Sequence, residues 1–244
     1  MAGGRTHDRR PSSAPLFAED CYLREFDAEV IIAGPRFAVL DRTAFYPESG
    51  GQPCDTGYLK AGDREIRVKR VIRRGWDIFH YLDGDVILHT EVHGVIDWEP
   101  RFFNMRRHSA EHLLTGLFEE ANAGPKVYSD LGRLEFQPSS LTDEVVRRVG
   151  DRFNEVVDND VPVRIFYMDR GELEVGGDER KASFLEKIPR DVQRLRMVEI
   201  LGFALTFCFG THVSRTGEIG RLSSLTLEEG RKGKKTVRFN LSKT

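Results

Sequence analysis

Two short words, RRHSAEHLL and FCFGTHV, constrain this chain more than anything else in it. The first carries His108 and His112, the second Cys208 and His212, and each spaces its pair four residues apart. Four residues is about one helical turn, so side chains at that spacing project from one face. Together the words offer three imidazoles and one thiolate, a donor set that suits one tetrahedral zinc ion. Most of a domain separates them, so the fold must bring them together. That suits a site built into an enzyme and is unlike a local zinc finger. Each half alone has a plainer reading. A His pair on an apolar helix is often a packed core pair, and a single Cys-x-x-x-His is weaker still. With only three cysteines and seven histidines in the chain, the coincidence of both words is the stronger signal.

A second metal reading competes. His108-Ser109-Ala110-Glu111-His112 fits H-x-x-E-H, the inverzincin protease word, with Glu111 as base for a zinc-bound water. Helical geometry places Glu111 beside His108, so the chemistry is possible. The chain is short for such a protease, no convincing third-ligand glutamate follows, and Cys208 and His212 would have no purpose.

A chain of 244 residues holds one large domain or two modest ones. Hydrophobic residues make up 39% and charged residues 31%, so a proper core is available under a well-charged surface. A net charge of -2 argues against nucleic-acid binding by bulk charge but leaves room for a local basic face. Cys21, Cys54 and Cys208 are far apart and make no disulfide framework, which predicts a reducing, cytoplasmic setting. No apolar run approaches the ~18 residues of a membrane span, so no membrane partner is expected. The start, MAGGRTHDRRPSSAP, lacks the apolar segment of a secretory signal and reads as a disordered tail.

From about Cys21 to Val95 the pattern is β. EFDAEVIIAG, RFAVLDRTAFY, GYLKAGDREIRVKRVIRR, WDIFHYLDG and EVHGVIDW are short runs separated by Gly, Pro and Asp turns, as in a small sandwich or barrel. Among them lies FYPESGGQPCDTG. Its Gly50-Gly51 either supplies the positive φ of a tight loop or lets a backbone or ligand approach closely. At Asp97-Trp98-Glu99-Pro100-Arg101 the texture changes. RFFNMRRHSAEHLLTGLFEEANAG has helical apolar spacing and stops at Gly124-Pro125. KVYSDLGRLEFQP reads as a hairpin, and LTDEVVRRVGDRFNEVVDND as an amphipathic helix with a Thr cap. VPVRIFYMD reads as a strand, RGELEVGGDERKASFLE as a short helix or loop, and RLRMVEILGFALTFC as strand leading into the Cys208 word. GRLSSLTLEEGRKGKKTVRFNLS closes the chain as strand, basic turn and strand.

These words in this order resemble a known family. RRHSAEHLLTGLF followed about one hundred residues later by CFGTHVSRTGEIG is similar to the editing domain of alanyl-tRNA synthetase and its free-standing relatives, the AlaX proteins. That domain also resembles the second additional domain of threonyl-tRNA synthetase. FYPESGGQPCDTG looks like the glycine motif of the β-barrel that precedes this domain in the synthetase and in the medium-length AlaX type. DWEPRFFNMRRH looks like the junction, RLEF like the strand after the first helix, and RKGKKTVRFNL like the closing strand. The resemblance covers nearly everything from about residue 20 onward. One departure is Phe209, where the family commonly has Gly in Cys-Gly-Gly-Thr-His. A bulky ring there bears on the shape of the amino-acid pocket.

The resemblance implies an α+β fold: a disordered tail over residues 1–17, a small β-barrel domain with the glycine motif over 18–98, and an α+β editing domain with antiparallel sheet and zinc site over 99–244. It implies a free-standing enzyme, because no aminoacylation domain fits this length, nor the long C-terminal dimerisation region of the longest type. The reaction would be hydrolysis of mischarged tRNA(Ala), chiefly Ser-tRNA(Ala), with Gly-tRNA(Ala) as a further substrate. One zinc per chain would sit on His108, His112, Cys208 and His212. Thr211 and Ser129 are candidate partners for the serine hydroxyl, against a plain role as turn cap or surface hydroxyl. Glu111 is either a general base or a residue that supports the ligands. Arg101, Arg106 and Arg107 flank the metal helix, and Arg231, Lys232, Lys234 and Lys235 form a basic turn. Both clusters are candidates for tRNA phosphates and equally for solvated faces. Two rival classes stay open: the H-x-x-E-H metalloprotease, and a non-catalytic RNA-binding module with a structural zinc.

Overall fold

The alternation in Glu25–Gly34 points Phe26, Ala28 and Val30 inward, and the other β runs of the first half do the same. A computed structural model describes residues 13–172, 188 and 190–242. The segment expected as a short helix or loop after Glu172 and the first twelve residues of the expected tail lie outside the described residues.

In chain order the elements are β1 (Ala14–Pro15), α1 (Leu16–Glu19), β2 (Glu25–Gly34), β3 (Phe37–Leu40), β4 (Arg42–Thr43), β5 (Gly57–Ala61), β6 (Arg64–Arg74), β7 (Asp77–Leu82) and β8 (Glu91–Ile96). Then follow α2 (Trp98–Glu120), β9 (Lys126–Asp130), β10 (Arg133–Phe136), α3 (Asp143–Asp158), β11 (Val163–Asp169), β12 (Arg194–Ile200), β13 (Ala204–Phe207), β14 (Leu222–Glu229) and β15 (Lys235–Leu241). The chain divides into two compact units, Met1–Phe103 and Asn104–Thr244, with the boundary inside α2.

In the first unit six antiparallel strands close into a barrel, in the order β2-β3-β7-β6-β5-β8. Closure leaves no edge of the barrel unpaired. Its core includes Phe26, Val30, Leu40, Phe45, Leu59, Val68 and Ile78. Buried among them, the His80 ring meets Thr43 Oγ1 at 2.9 Å through Nε2 and the Ala38 carbonyl at 3.3 Å through Nδ1. Residues 13–17, expected as part of a disordered tail, are packed on the barrel unit. Ala14–Pro15 pairs in parallel with Arg42–Thr43, the Ser13 hydroxyl donates to the Leu40 carbonyl at 2.6 Å, and Phe17 is buried. Gly50 and Gly51 have φ of 57° and 81°, and Ser49 and Gln52 exchange backbone hydrogen bonds across them. That is a two-residue hairpin turn with positive φ at both central positions, for which glycine is suited. It matches the tight-loop reading of the motif.

The second unit holds a four-stranded sheet, β14-β15-β10-β9, and a three-stranded sheet, β11-β12-β13. β9 and β10 form the expected hairpin, and β14 and β15 flank the expected basic turn. α3 begins where expected, with the Thr142 side chain accepting from the Val145 amide. It packs Val146, Val149, Phe153 and Val156 inward. α2 presents Ala110, Leu113, Leu114, Leu117 and Phe118 to the interior at helical spacing. Gly116 lets the helix approach the chain closely, because a Cβ there would lie 2.1 Å from the Phe203 carbonyl oxygen.

Candidate metal centre

α2 carries His108 and His112 one turn apart, and both are buried. Cys208 and His212 do not sit on a helix. They lie on irregular backbone just after β13, with a bend at Gly210 between them. The four residues nonetheless converge, with one ligand atom from each lying within 4.8 Å of all the others. Cys208 Sγ is 3.5 Å from His108 Nε2 and 3.3 Å from His212 Nε2. The ring centroids of His112 and His212 are 4.5 Å apart, and those of His108 and His212 4.3 Å.

The electrostatics suit metal binding. Burial holds the His108 imidazole down to about 3 and that of His112 to about 4. Burial, reinforced by the two neighbouring histidines, puts His212 well below the ordinary value. All three rings are therefore neutral near pH 7, with lone pairs to donate. Cys208 Sγ accepts the Gly210 amide N–H at 3.3 Å, a contact that favours thiolate. Among the described residues His112 Nδ1 is buried without a hydrogen-bond partner, and a coordinated ion would relieve such an orphan. The donor set and this orphan both fit a cation.

Supports that the sequence reading missed surround the ligands. Arg196 on β12 is fully buried and clamps the second word. Its Nη1 donates to the Cys208 carbonyl at 2.6 Å and to the Gly210 carbonyl at 3.0 Å, while the Cys208 amide donates to the Arg196 carbonyl at 3.1 Å. No local signal marked it, since RLRMVEI carries Arg194 as well as Arg196. Ser109 Oγ sits 3.1 Å from His212 Nδ1 and accepts the Val213 amide at 3.2 Å. That contact fixes the ring so that Nε2 faces the cluster. Glu111 Oε1 accepts from Lys126 Nζ at 2.8 Å and from Thr115 Oγ1 at 3.0 Å. Burial alone would push this carboxyl up, but Lys126 pulls it down to about 2.

The chain is similar to known proteins along most of its length. A family model described as tRNA synthetases class II (A) matches residues 17–100, and one described as threonyl and alanyl tRNA synthetase second additional domain matches residues 195–240. Alanyl-tRNA editing protein AlaX-M of Methanosarcina acetivorans is 34% identical over 240 residues, covering 93% of this chain and 98% of its own length. The chain belongs to the AlaX family. AlaX-L of Pyrococcus horikoshii is 33% identical over 221 residues, 86% of this chain and 53% of its own length. The alanine–tRNA ligase of Ignicoccus hospitalis is 37% identical over 236 residues, 94% of this chain, which spans only 26% of that ligase.

The other candidate residues divide. Arg101 is fully buried, ion-paired with Asp55 and donating to the Cys21 and Ala44 carbonyls. Arg106 is also buried and donates to the Ile219 and Ser242 carbonyls at 2.8 Å each. Neither guanidinium is open to a phosphate, which corrects their assignment to tRNA binding. In the basic turn Lys234 pairs with Glu135 at 2.6 Å and Lys235 with Glu229. Arg231 and Lys232 are exposed and, among the described residues, in no ion pair. Arg107 is half-buried. Thr211 is fully buried beside His212, and Ser129 is half-buried on β9. Phe209 is 41% exposed, with its ring edge-on to Phe207 at 4.9 Å, so it lies outside the buried core. Gly50 and Gly51 belong to the barrel unit.

Proposed function

We propose that this chain is a zinc-dependent deacylase that hydrolyses mischarged tRNA(Ala), chiefly Ser-tRNA(Ala), while sparing Ala-tRNA(Ala). The observation that carries the reading is the convergence of buried His108, His112 and His212 with half-buried Cys208 in a member of the AlaX family. The names of the relatives, alanyl-tRNA editing proteins, point to the same substrate class. An aminoacyl ester is already activated, so the site must mainly place the ester against a water. When bound, zinc would supply Lewis acidity and orientation. The chain's own residues do the rest. Burial keeps the three imidazoles unprotonated, Ser109 orients His212, and Arg196 holds the Cys208 segment. Selecting serine over alanine rests on contacts to one hydroxyl, and a site built to bond a hydroxyl rejects its absence strongly. Thr211 and Ser129 are the proposed hydroxyl partners, and Arg107, Arg231 and Lys232 the proposed phosphate contacts.

The protease reading leaves Cys208 and His212 idle, whereas these two close on the histidines of the H-x-x-E-H word. The test is deacylation of Ser-tRNA(Ala) and Ala-tRNA(Ala), with and without chelator, alongside a peptide substrate. We expect hydrolysis of the serine ester alone, lost on chelation and restored by zinc. Peptide cleavage would favour the protease, and tRNA binding without hydrolysis would favour the non-catalytic module.

A further inference from the structure

Glu111 stands next to a metal ligand yet only half of its carboxylate is occupied. Oε1 is engaged by Lys126 Nζ and Thr115 Oγ1. Oε2 takes no hydrogen bond from the described residues, and its ion-pair neighbour is His112 Nε2, 3.7 Å away. The residue is only 5% exposed. A carboxylate oxygen accepts more than one hydrogen bond, so Oε2 keeps acceptor capacity for a donor delivered by a ligand.

Building on the deacylase reading, we propose that Glu111 Oε2 receives the α-ammonium group of the aminoacyl ester. The chemistry of the substrate matches the geometry. The ammonium is attached to the carbon next to the ester carbonyl, so a substrate whose carbonyl lies at the histidine cluster brings its N–H donors into the neighbourhood of the carboxylate. The 3.7 Å separation of Oε2 from His112 is short enough for one small fragment to touch both. Lys126 and Thr115 hold the carboxylate in place and draw charge from it, which suits an acceptor better than a base that must take up a proton. Lys126 begins β9 and Thr115 lies one turn along α2, so two elements fix its orientation. A site with this contact acts on esters of free amino acids and rejects esters whose nitrogen is acylated, including those of growing peptides.

The test uses a non-hydrolysable 3′-seryl-amide of adenosine and its N-acetyl form, titrated calorimetrically into the full-length protein. The wild type should prefer the free amine by roughly 10–100-fold, the range of a hydrogen bond to a charged group. Glu111→Gln should bind both forms alike, near the level of the N-acetyl compound, with its zinc content retained. For Ser-tRNA(Ala) the loss should fall mainly on KM. Equal binding of the two compounds by the wild type would overturn the proposal, and that arm needs no variant to fold. So would a Glu111→Gln protein that keeps the preference and loses only kcat, since that is the mark of a general base. If the wild type cleaves Ser-tRNA(Ala) and N-acetyl-Ser-tRNA(Ala) equally, the deacylase reading stands and the Glu111 assignment falls. If it cleaves neither, both fall.

Discussion

At the scale of residues, the protein works by burying side chains that chemistry would otherwise keep wet. His108, His112 and His212 are held neutral by burial, and Cys208 is met by an amide N–H, so the four side chains together could hold a cation. Replacing Cys208 with Ala should reduce bound zinc from one per chain to a small fraction, read by elemental analysis of dialysed protein. Unchanged zinc in both Cys208→Ala and His212→Ala would refute the site. His80, away from this cluster, permits a cleaner pH prediction. Burial lowers its pKa to about 4 from an ordinary 6.5. The unfolded chain therefore binds the proton first as pH falls, and stability drops between pH 6.5 and 4. The contribution approaches about 3 kcal/mol at the acid end of that window and vanishes above it. Urea denaturation of the wild type and of His80→Gln at pH 7.5 and 5 checks this, and the variant should show the shallower fall. The ligand residues were legible in the sequence because their types are rare and their spacing is short. Arg196 was not, because a buried arginine looks like any other until its partners are known.

At the scale of elements, close approach and buried pairing decide the local energetics. Arg101 in the first turn of α2 lies on Asp55 with no exposure to solvent. Removing one member of a buried pair strands the other charge. Arg101→Met should therefore cost about 3–5 kcal/mol, measured by chemical denaturation. A loss under 1 kcal/mol would show that Asp55 is neutralised some other way. Gly116→Ala places a methyl group against the Phe203 carbonyl and should destabilise by about 1–3 kcal/mol. An unchanged midpoint would mean that the Phe203 turn gives way easily. Both strands and helices followed from periodicity, since alternation and the 3.6-residue repeat are local properties. The Cys208 word was misjudged at this scale. Its four-residue spacing suggested a helix, but irregular backbone with a bend after the end of β13 brings Cys208 and His212 together as well.

At the scale of the whole molecule, a net charge of -2 leaves the proposed tRNA binding to local features. With Arg101 and Arg106 buried and Lys234 and Lys235 paired, Arg231 and Lys232 carry the expectation. The double variant Arg231→Ala, Lys232→Ala should weaken tRNA binding and lower the slope of log affinity against log salt by about 1–2. An unaltered slope in a filter-binding series would exclude this turn from the interface.

The sequence by itself determined the barrel runs, the two long helices, the hairpins and the four candidate ligands, because each is encoded in nearest-neighbour pattern or in scarce residue types. Only the tertiary structure decided which charges are free. Arg101 and Arg106 read as surface cations along the chain, and the fold spends them on Asp55 and on backbone carbonyls from distant segments. The same holds for Glu111, whose Lys126 partner lies on another element. Burial and pairing depend on what the chain places around a residue from far along its length, and no local window contains that information.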